Sequence, residues 1–198
     1  MHIDMRKIGG VGVLAGAITG KQLLAKILSE TVQEPLEPEP FFLDFKKVEV
    51  ATASFLRESV LGLRDIVRGR RSNFYPVIAN ANSNIRDELA ELVGGQRSDV
   101  LIVCSLSESG TVSNVGLIGE LEPVQRRTFE LVRELIGKQA DVDASVLMKK
   151  HGETDGTTRT TAWNNRLTSL SFLGLLVEVS QGRTKRYKPL FGDIQYGL

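Results

Sequence analysis

The chain has 198 residues, 41% of them hydrophobic, enough for one large globular core or two modest ones. With a net charge of +1 and no apolar run near the roughly 20 residues of a membrane-spanning helix, a soluble, cytoplasmic protein with no membrane partner is expected. The charge is unevenly placed: residues 1–119 hold 13 Lys and Arg against 14 Asp and Glu, whereas residues 157–190 hold six bases against Glu178 alone.

In chain order, the apolar Val11 to Ile18 follows Arg6 and Lys7 in the manner of a signal peptide. It is too short for one and leads directly into an amphipathic segment. There Ile18, Leu23, Leu24, Ile27 and Leu28 recur at helical spacing, and the proline- and acid-rich Glu30 to Pro40 ends the helix in a loop. Phe41 to Phe45 is short, apolar and bounded by turn signals, as a buried strand is. Ser54 to Val67 then reads as a helix with Phe55, Val60, Leu63 and Val67 on one face. Phe74 to Ala79 and Val100 to Leu106 are further strands, separated by a helix from Ile85 to Val93. Strands alternating with helices predict an α/β unit with a mixed or parallel sheet under helical cover. Cys104 is the sole cysteine and sits in the apolar Val100 to Leu106, so a buried, inert thiol is expected.

Ser105 to Gly119 is a Ser- and Gly-rich connector with room for an edge strand. Pro123 opens a helix from Val124 to Ile136, which sets a domain boundary between residues 1–119 and 120–198. Farther on, Trp163, Leu167, Leu170 and Leu173 form an apolar helical stripe that ends at Gly174. Arg159, Thr161, Ala162, Asn164, Asn165 and Thr168 take the opposite face. Leu175 to Leu190 holds two β-rich runs around Gln181-Gly182, a hairpin carrying Arg183, Lys185, Arg186 and Lys188. Its basic side chains suit phosphate contact, although alternation puts them on both faces. A solvated charged hairpin is the competing explanation.

The segment Phe42-Leu-Asp-Phe-Lys-Lys-Val-Glu-Val-Ala-Thr-Ala-Ser-Phe-Leu-Arg-Glu58, with Ile18-Thr-Gly-Lys-Gln-Leu-Leu24 before it and Asn80-Ala-Asn-Ser-Asn-Ile-Arg86 after it, resembles the STAS-like domains of unknown function. These are relatives of the sulfate-transporter and anti-sigma-factor-antagonist fold, and the likeness spans about half the chain. It implies partner binding near a strand-to-helix junction, where the antagonists carry a phosphorylated serine in an Asp-Ser-Ser-Gly stretch. The corresponding residues here are Thr52-Ala53-Ser54-Phe55, with Ala53 at the acceptor position. Ser54 is thereby either a helix cap or, with Thr52, a partner or modification site.

The helix Val124 to Ile136, a second helix at Val142 to Lys150, a turn at His151 to Gly156, a third helix at Thr158 to Leu173 and the hairpin resemble, in that order, winged helix-turn-helix regulators of the MarR and ArsR kinds. The resemblance implies an α+β DNA-binding domain whose third helix enters the major groove while the hairpin tracks the backbone. Asn164 and Asn165 are then candidate adenine readers, Arg159 suits guanine, and the methyls of Thr161, Ala162 and Thr168 suit a thymine methyl. Alternatively the asparagines bond to the preceding helical turn. Trp163 is expected to anchor the core and Arg166 to support the helix from within.

Other chemistries fit less well. Gly16-Ala-Ile-Thr-Gly-Lys-Gln22 misses the P-loop spacing by one residue and has Gln22 where magnesium needs Ser or Thr. Gly10-Val-Gly-Val-Leu-Ala-Gly16 misses the dinucleotide-binding spacing and suits tight turns around a strand. His2 and His151 are far apart, and one cysteine cannot complete a zinc site. His151 near Ser145 and Asp155 is more simply a helix-terminal residue than part of a triad. The expectation is a non-enzymatic, cofactor-free transcriptional regulator of bacterial or phage type that binds double-stranded DNA. A protein partner would dock on the first domain, and a homodimer would match paired half-sites. The alternative is a protein-interaction adaptor using both domains for docking.

Overall fold

The computed structural model describes residues 1–94, 99–137, 142–181 and 184–196. The fold is mixed α/β and divides into two compact units, Met1–Glu120 with Asp193–Leu198, and Leu121–Gly192.

The first unit runs β1 (His2–Asp4), α1 (Met5–Gly9), β2 (Val13–Leu14), α2 (Ala17–Glu30), β3 (Glu39–Asp44), β4 (Val50–Ala51) and α3 (Ala53–Leu56). A π-helical turn, Arg57–Leu61, joins α3 to α4 (Gly62–Gly69), followed by β5 (Phe74–Ala79), α5 (Ser83–Gly94), β6 (Val100–Leu106) and β7 (Val112–Gly119). Five strands make one mixed sheet in the order β1-β3-β5-β6-β7, all parallel except β7. The expected edge strand is therefore β7. The two-residue alternation of β3 turns Phe41 and Leu43 into the core while Phe42 and Asp44 face away. Ile85, Leu89 and Val93 are buried from α5, whose start is held by the Asn82 side chain accepting from the Ile85 N–H at 3.0 Å.

The glycines that imitated nucleotide-binding motifs have conformational and packing roles. Gly10 and Gly16 take φ values of +81° and +85°, flanking the short β2 as tight turns. Gly20 lets α2 approach α3: a β-carbon there would lie 2.7 Å from the Phe55 carbonyl oxygen. The end of the described chain returns to this unit, where the Gln195 N–H donates to the Val115 carbonyl and the Leu117 N–H donates to the Gln195 carbonyl. These bonds satisfy backbone groups on the open edge of β7.

The second unit runs α6 (Pro123–Ile136), α7 (Ala144–His151), α8 (Thr160–Phe172), β8 (Leu176–Gln181) and β9 (Thr184–Pro189). Pro123 takes the first turn of α6, where its missing N–H costs nothing. The Asp143 carboxylate caps α7 by accepting from the Ser145 and Val146 N–H groups. Helix α8 closes on Gly174 at φ +82°, with the Leu175 N–H donating to the Leu170 carbonyl and the Gly174 N–H to the Ser171 carbonyl. That pair of bonds is a Schellman ending, which glycine accommodates without strain. Strands β8 and β9 pair antiparallel, and Val142 adds a single bridge to Tyr187 on the outer side of β9. Trp163, Leu167 and Leu170 of α8 are fully buried, as are Phe129, Val132, Leu147, Leu176 and Tyr187.

Two limits shift. The third helix begins at Thr160, not Thr158, because Arg159 is extended; the Thr157 carbonyl before it accepts from Trp163 Nε1–H instead of a helical N–H. The hairpin pairs Gln181 with Thr184, and Gly182 and Arg183 lie outside the described residues. Among the described residues no helix is long and apolar enough to cross a membrane.

Candidate nucleic-acid interface

Helix α8 divides cleanly by face. Thr161, Asn164, Asn165, Thr168 and Phe172 are exposed, and at about 100° per residue they share one side of the helix. Trp163, Leu167 and Leu170 lie opposite them in the core. No acidic residue occurs in α8, so nothing on the exposed stripe would repel a polyanion. Arg159 precedes the helix, exposed and extended at φ −109° and ψ 126°. The five expected residues on this element therefore all reach solvent, with the two asparagines on opposite shoulders of the stripe.

The approach to α8 is braced from inside. The Arg166 guanidinium binds the Asp155 carboxylate and, at 2.8 Å, the Thr157 hydroxyl, while lying 4.8 Å from the centre of the Trp163 ring. Thr157 in turn donates to Asp155 at 2.9 Å. Burial pushes the Asp155 carboxyl upward, but the Arg166 and Thr157 hydrogen bonds outweigh it and hold the group below the ordinary carboxylate range. Arg166 supports the helix from within, as the sequence suggested.

The hairpin is less open than its charge implies. Lys188 is exposed, whereas Arg186 is half-buried and Lys185 forms an ion pair with Glu178 at 2.8 Å. Glu178 stands opposite Tyr187 on β9, and alternation puts Lys185, two residues away, on the same face. The four bases expected to contact phosphate, Arg183, Lys185, Arg186 and Lys188, thus stand in different settings. One is held by an acid, one is partly covered and Arg183 lies outside the described residues. Lys185 instead faces a cleft of about 390 Å³ beside α8, lined also by Asn164, Thr168, Thr160, Thr184, Ser145 and Asp143. The structure brings together Asn164, Thr168 and Lys185, three residues picked out separately. Ser145, Thr160 and Thr184 join them without having been singled out. Short hydroxyl side chains carry little signal until the fold gathers them.

In the first unit, the helix cap is Thr52 rather than Ser54. Thr52 is extended, at φ −78° and ψ 154°, and its hydroxyl accepts from the Phe55 N–H, whereas Ser54 already lies inside the first turn of α3. The two hydroxyls sit 3.2 Å apart, and the Gly16 N–H also donates to Thr52. Glu88 of α5 accepts from the Ala53 N–H at 2.6 Å, placing a carboxylate at the helix start where a phosphate would be drawn. Its separation of 35 residues from Ala53 left no local sequence signal.

Cys104 is buried, and burial, with the nearby Asp44 charge, pushes its thiol up to about 11. Comparison of the chain with protein-family models, with curated proteins and with solved structures found no match.

Proposed function

We propose that the chain is a sequence-specific DNA-binding regulator whose second unit is a winged helix-turn-helix domain and whose first unit is a STAS-like module that receives a protein partner. The observation carrying this reading is the exposed, acid-free stripe Thr161, Asn164, Asn165 and Thr168, fixed opposite a buried Trp163-Leu167-Leu170 spine beside a basic hairpin. Amide and hydroxyl groups of this kind pair with base edges in the major groove, which admits one α-helix. The Val142 bridge to Tyr187 supports the same reading, since it pairs a residue from between the first and second helices of the unit with the outer side of the hairpin. Arg159, exposed just before the helix, is a phosphate contact, and Lys188, exposed on the hairpin, is another. The test is a fluorescence-anisotropy titration of the full chain with random-sequence duplex, followed by selection from a random pool. Salt-sensitive binding and an enriched motif are expected; absence of binding at low salt refutes the reading.

A protein-interaction adaptor is the second reading, and the surface beside Thr52 and Ser54 favours it. Val13 and Val50 pair across β2 and β4 and are exposed, and Ile18, the second residue of α2, is 76% exposed. Apolar side chains so placed are suited to docking. Proteins captured by the wild-type chain and lost from an Ile18→Arg, Val50→Arg variant would favour this role.

A further inference from the structure

The loop between α2 and β3, residues 31–39, is tied to residues 70–73 at several points. The Glu34 carboxylate accepts from the Ser72 hydroxyl at 2.8 Å and from the Asn73 N–H at 3.0 Å, and pairs with Arg70 at 3.2 Å. The Asn73 side-chain amide donates to the Pro35 carbonyl, the Arg70 guanidinium to Thr31, and the Glu39 N–H to the Asn73 carbonyl. Pro35 and Pro38 stiffen the stretch between these ties, and the chain bends at Leu36 and Glu37. At that bend Leu36 is 100% exposed, and Val32, earlier in the same loop, is 75% exposed.

A single apolar side chain on a surface is ordinary, but here the backbone on both sides of Leu36 is fixed, so the leucine is held clear of the body. A side chain displayed in this way enters a partner with little further loss of conformational entropy, and its burial then goes into affinity. The surroundings select the partner. Glu30, Glu34, Glu37 and Glu39 flank the leucine, and no Lys, Arg or His occurs between Lys26 and Lys46. Glu37 is exposed and holds no ion pair among the described residues. Such a surface repels a polyanion and complements an apolar hole rimmed by Lys or Arg. Building on the reading of the first unit as a partner-binding module, and independently of DNA binding, we propose that residues 31–39 form a docking loop: Leu36 is the anchor that fills an apolar hole in a partner protein, and Glu37 faces a basic rim around that hole.

The experiment places a benzophenone side chain at position 36 of the full-length chain, irradiates it in the cells that make the protein and identifies what is crosslinked. The captured protein is then purified and titrated with full-length wild type, Leu36→Ala, Glu37→Gln, Glu34→Ala and the Ile18→Arg, Val50→Arg variant, each checked by circular dichroism for an unchanged fold. A protein other than this chain is expected to crosslink. Leu36→Ala should weaken its binding about tenfold or more. Glu37→Gln should weaken it about two- to fivefold and reduce its sensitivity to salt. Glu34→Ala, which keeps the leucine but loosens its tie, should weaken binding as well, and the Ile18, Val50 variant should bind as wild type does. Crosslinking to DNA, to a second copy of the chain or to nothing overturns the docking loop. Unchanged affinity of Leu36→Ala, Glu37→Gln or Glu34→Ala also overturns it. Loss of binding in the Ile18, Val50 variant alone overturns the loop while the partner-binding reading of the first unit stands.

Discussion

Arg166 binds Asp155 across the turn that leads into α8, and the same guanidinium covers the Trp163 ring. The contact joins the helix carrying the exposed asparagines to the loop before it. The orientation of the candidate reading face thereby depends on one ion pair and one aromatic anchor.

That ion pair gives the second unit an acid-sensitive component. Asp155 has a folded-state value below the ordinary carboxylate range, so its contribution is complete at neutral pH and is lost as pH falls below about 4. Asp155→Asn is expected to cost about 1–3 kcal/mol at pH 7 and less at pH 3, where the carboxylate has begun to lose its advantage over the unfolded chain, as read from urea unfolding at the two pH values. An equal cost at both would show that the charge is not what stabilises the turn.

Specificity should separate from affinity along α8. Asn164→Ala or Asn165→Ala is expected to relax preference at one base position by about 1–3 kcal/mol while leaving binding to random duplex nearly unchanged. The two asparagines stand about 100° apart, so one substitution should dominate. Trp163→Ala, in contrast, should destabilise the fold by about 3–5 kcal/mol, measured in the same unfolding assay, and abolish all binding indirectly.

Hairpin lysines should differ although the sequence makes them look alike. Lys188→Ala is expected to weaken binding to every duplex and to lower the salt slope by about one, because its ammonium is exposed. Lys185→Ala in the wild-type background should change the slope far less. Titrations in parallel salt series distinguish the two.

A helical glycine replaced by alanine ordinarily gains about 1 kcal/mol. At Gly20 the sign should reverse, since the new methyl would stand 2.7 Å from the Phe55 carbonyl and 3.0 Å from the Glu58 β-carbon. Forcing α2 and α3 apart is expected to cost about 1–3 kcal/mol, visible as a lower unfolding midpoint of the first unit. A more stable Gly20→Ala variant would mean that the two helices give way cheaply.

Much of this architecture was legible from periodicity alone. Ile85, Leu89 and Val93, or Trp163, Leu167 and Leu170, announce buried faces because a helix repeats its environment every three to four residues. Short pieces escaped: β1 and α1 span three and five residues, too few for a period to register. The π-helical turn at Arg57–Leu61 escaped as well, since its sequence suits an ordinary helix equally well. At the candidate interface, exposure of Asn164, Asn165 and Thr168 followed from their angle to Trp163. The capture of Lys185 by Glu178 did not, because cross-strand partners depend on a register that composition cannot supply. Likewise Thr52, rather than Ser54, caps α3 because backbone direction, not residue type, decides where the first turn begins.

The short bridge made by Gln195 on β7 has a consequence for how the chain tolerates cutting. Shortened before Asp193, the protein would leave the Val115 carbonyl and the Leu117 amide facing water on a bare sheet margin. Such a margin is a template on which a neighbouring copy can lay its own strand, so truncated versions of this protein should tend toward self-association.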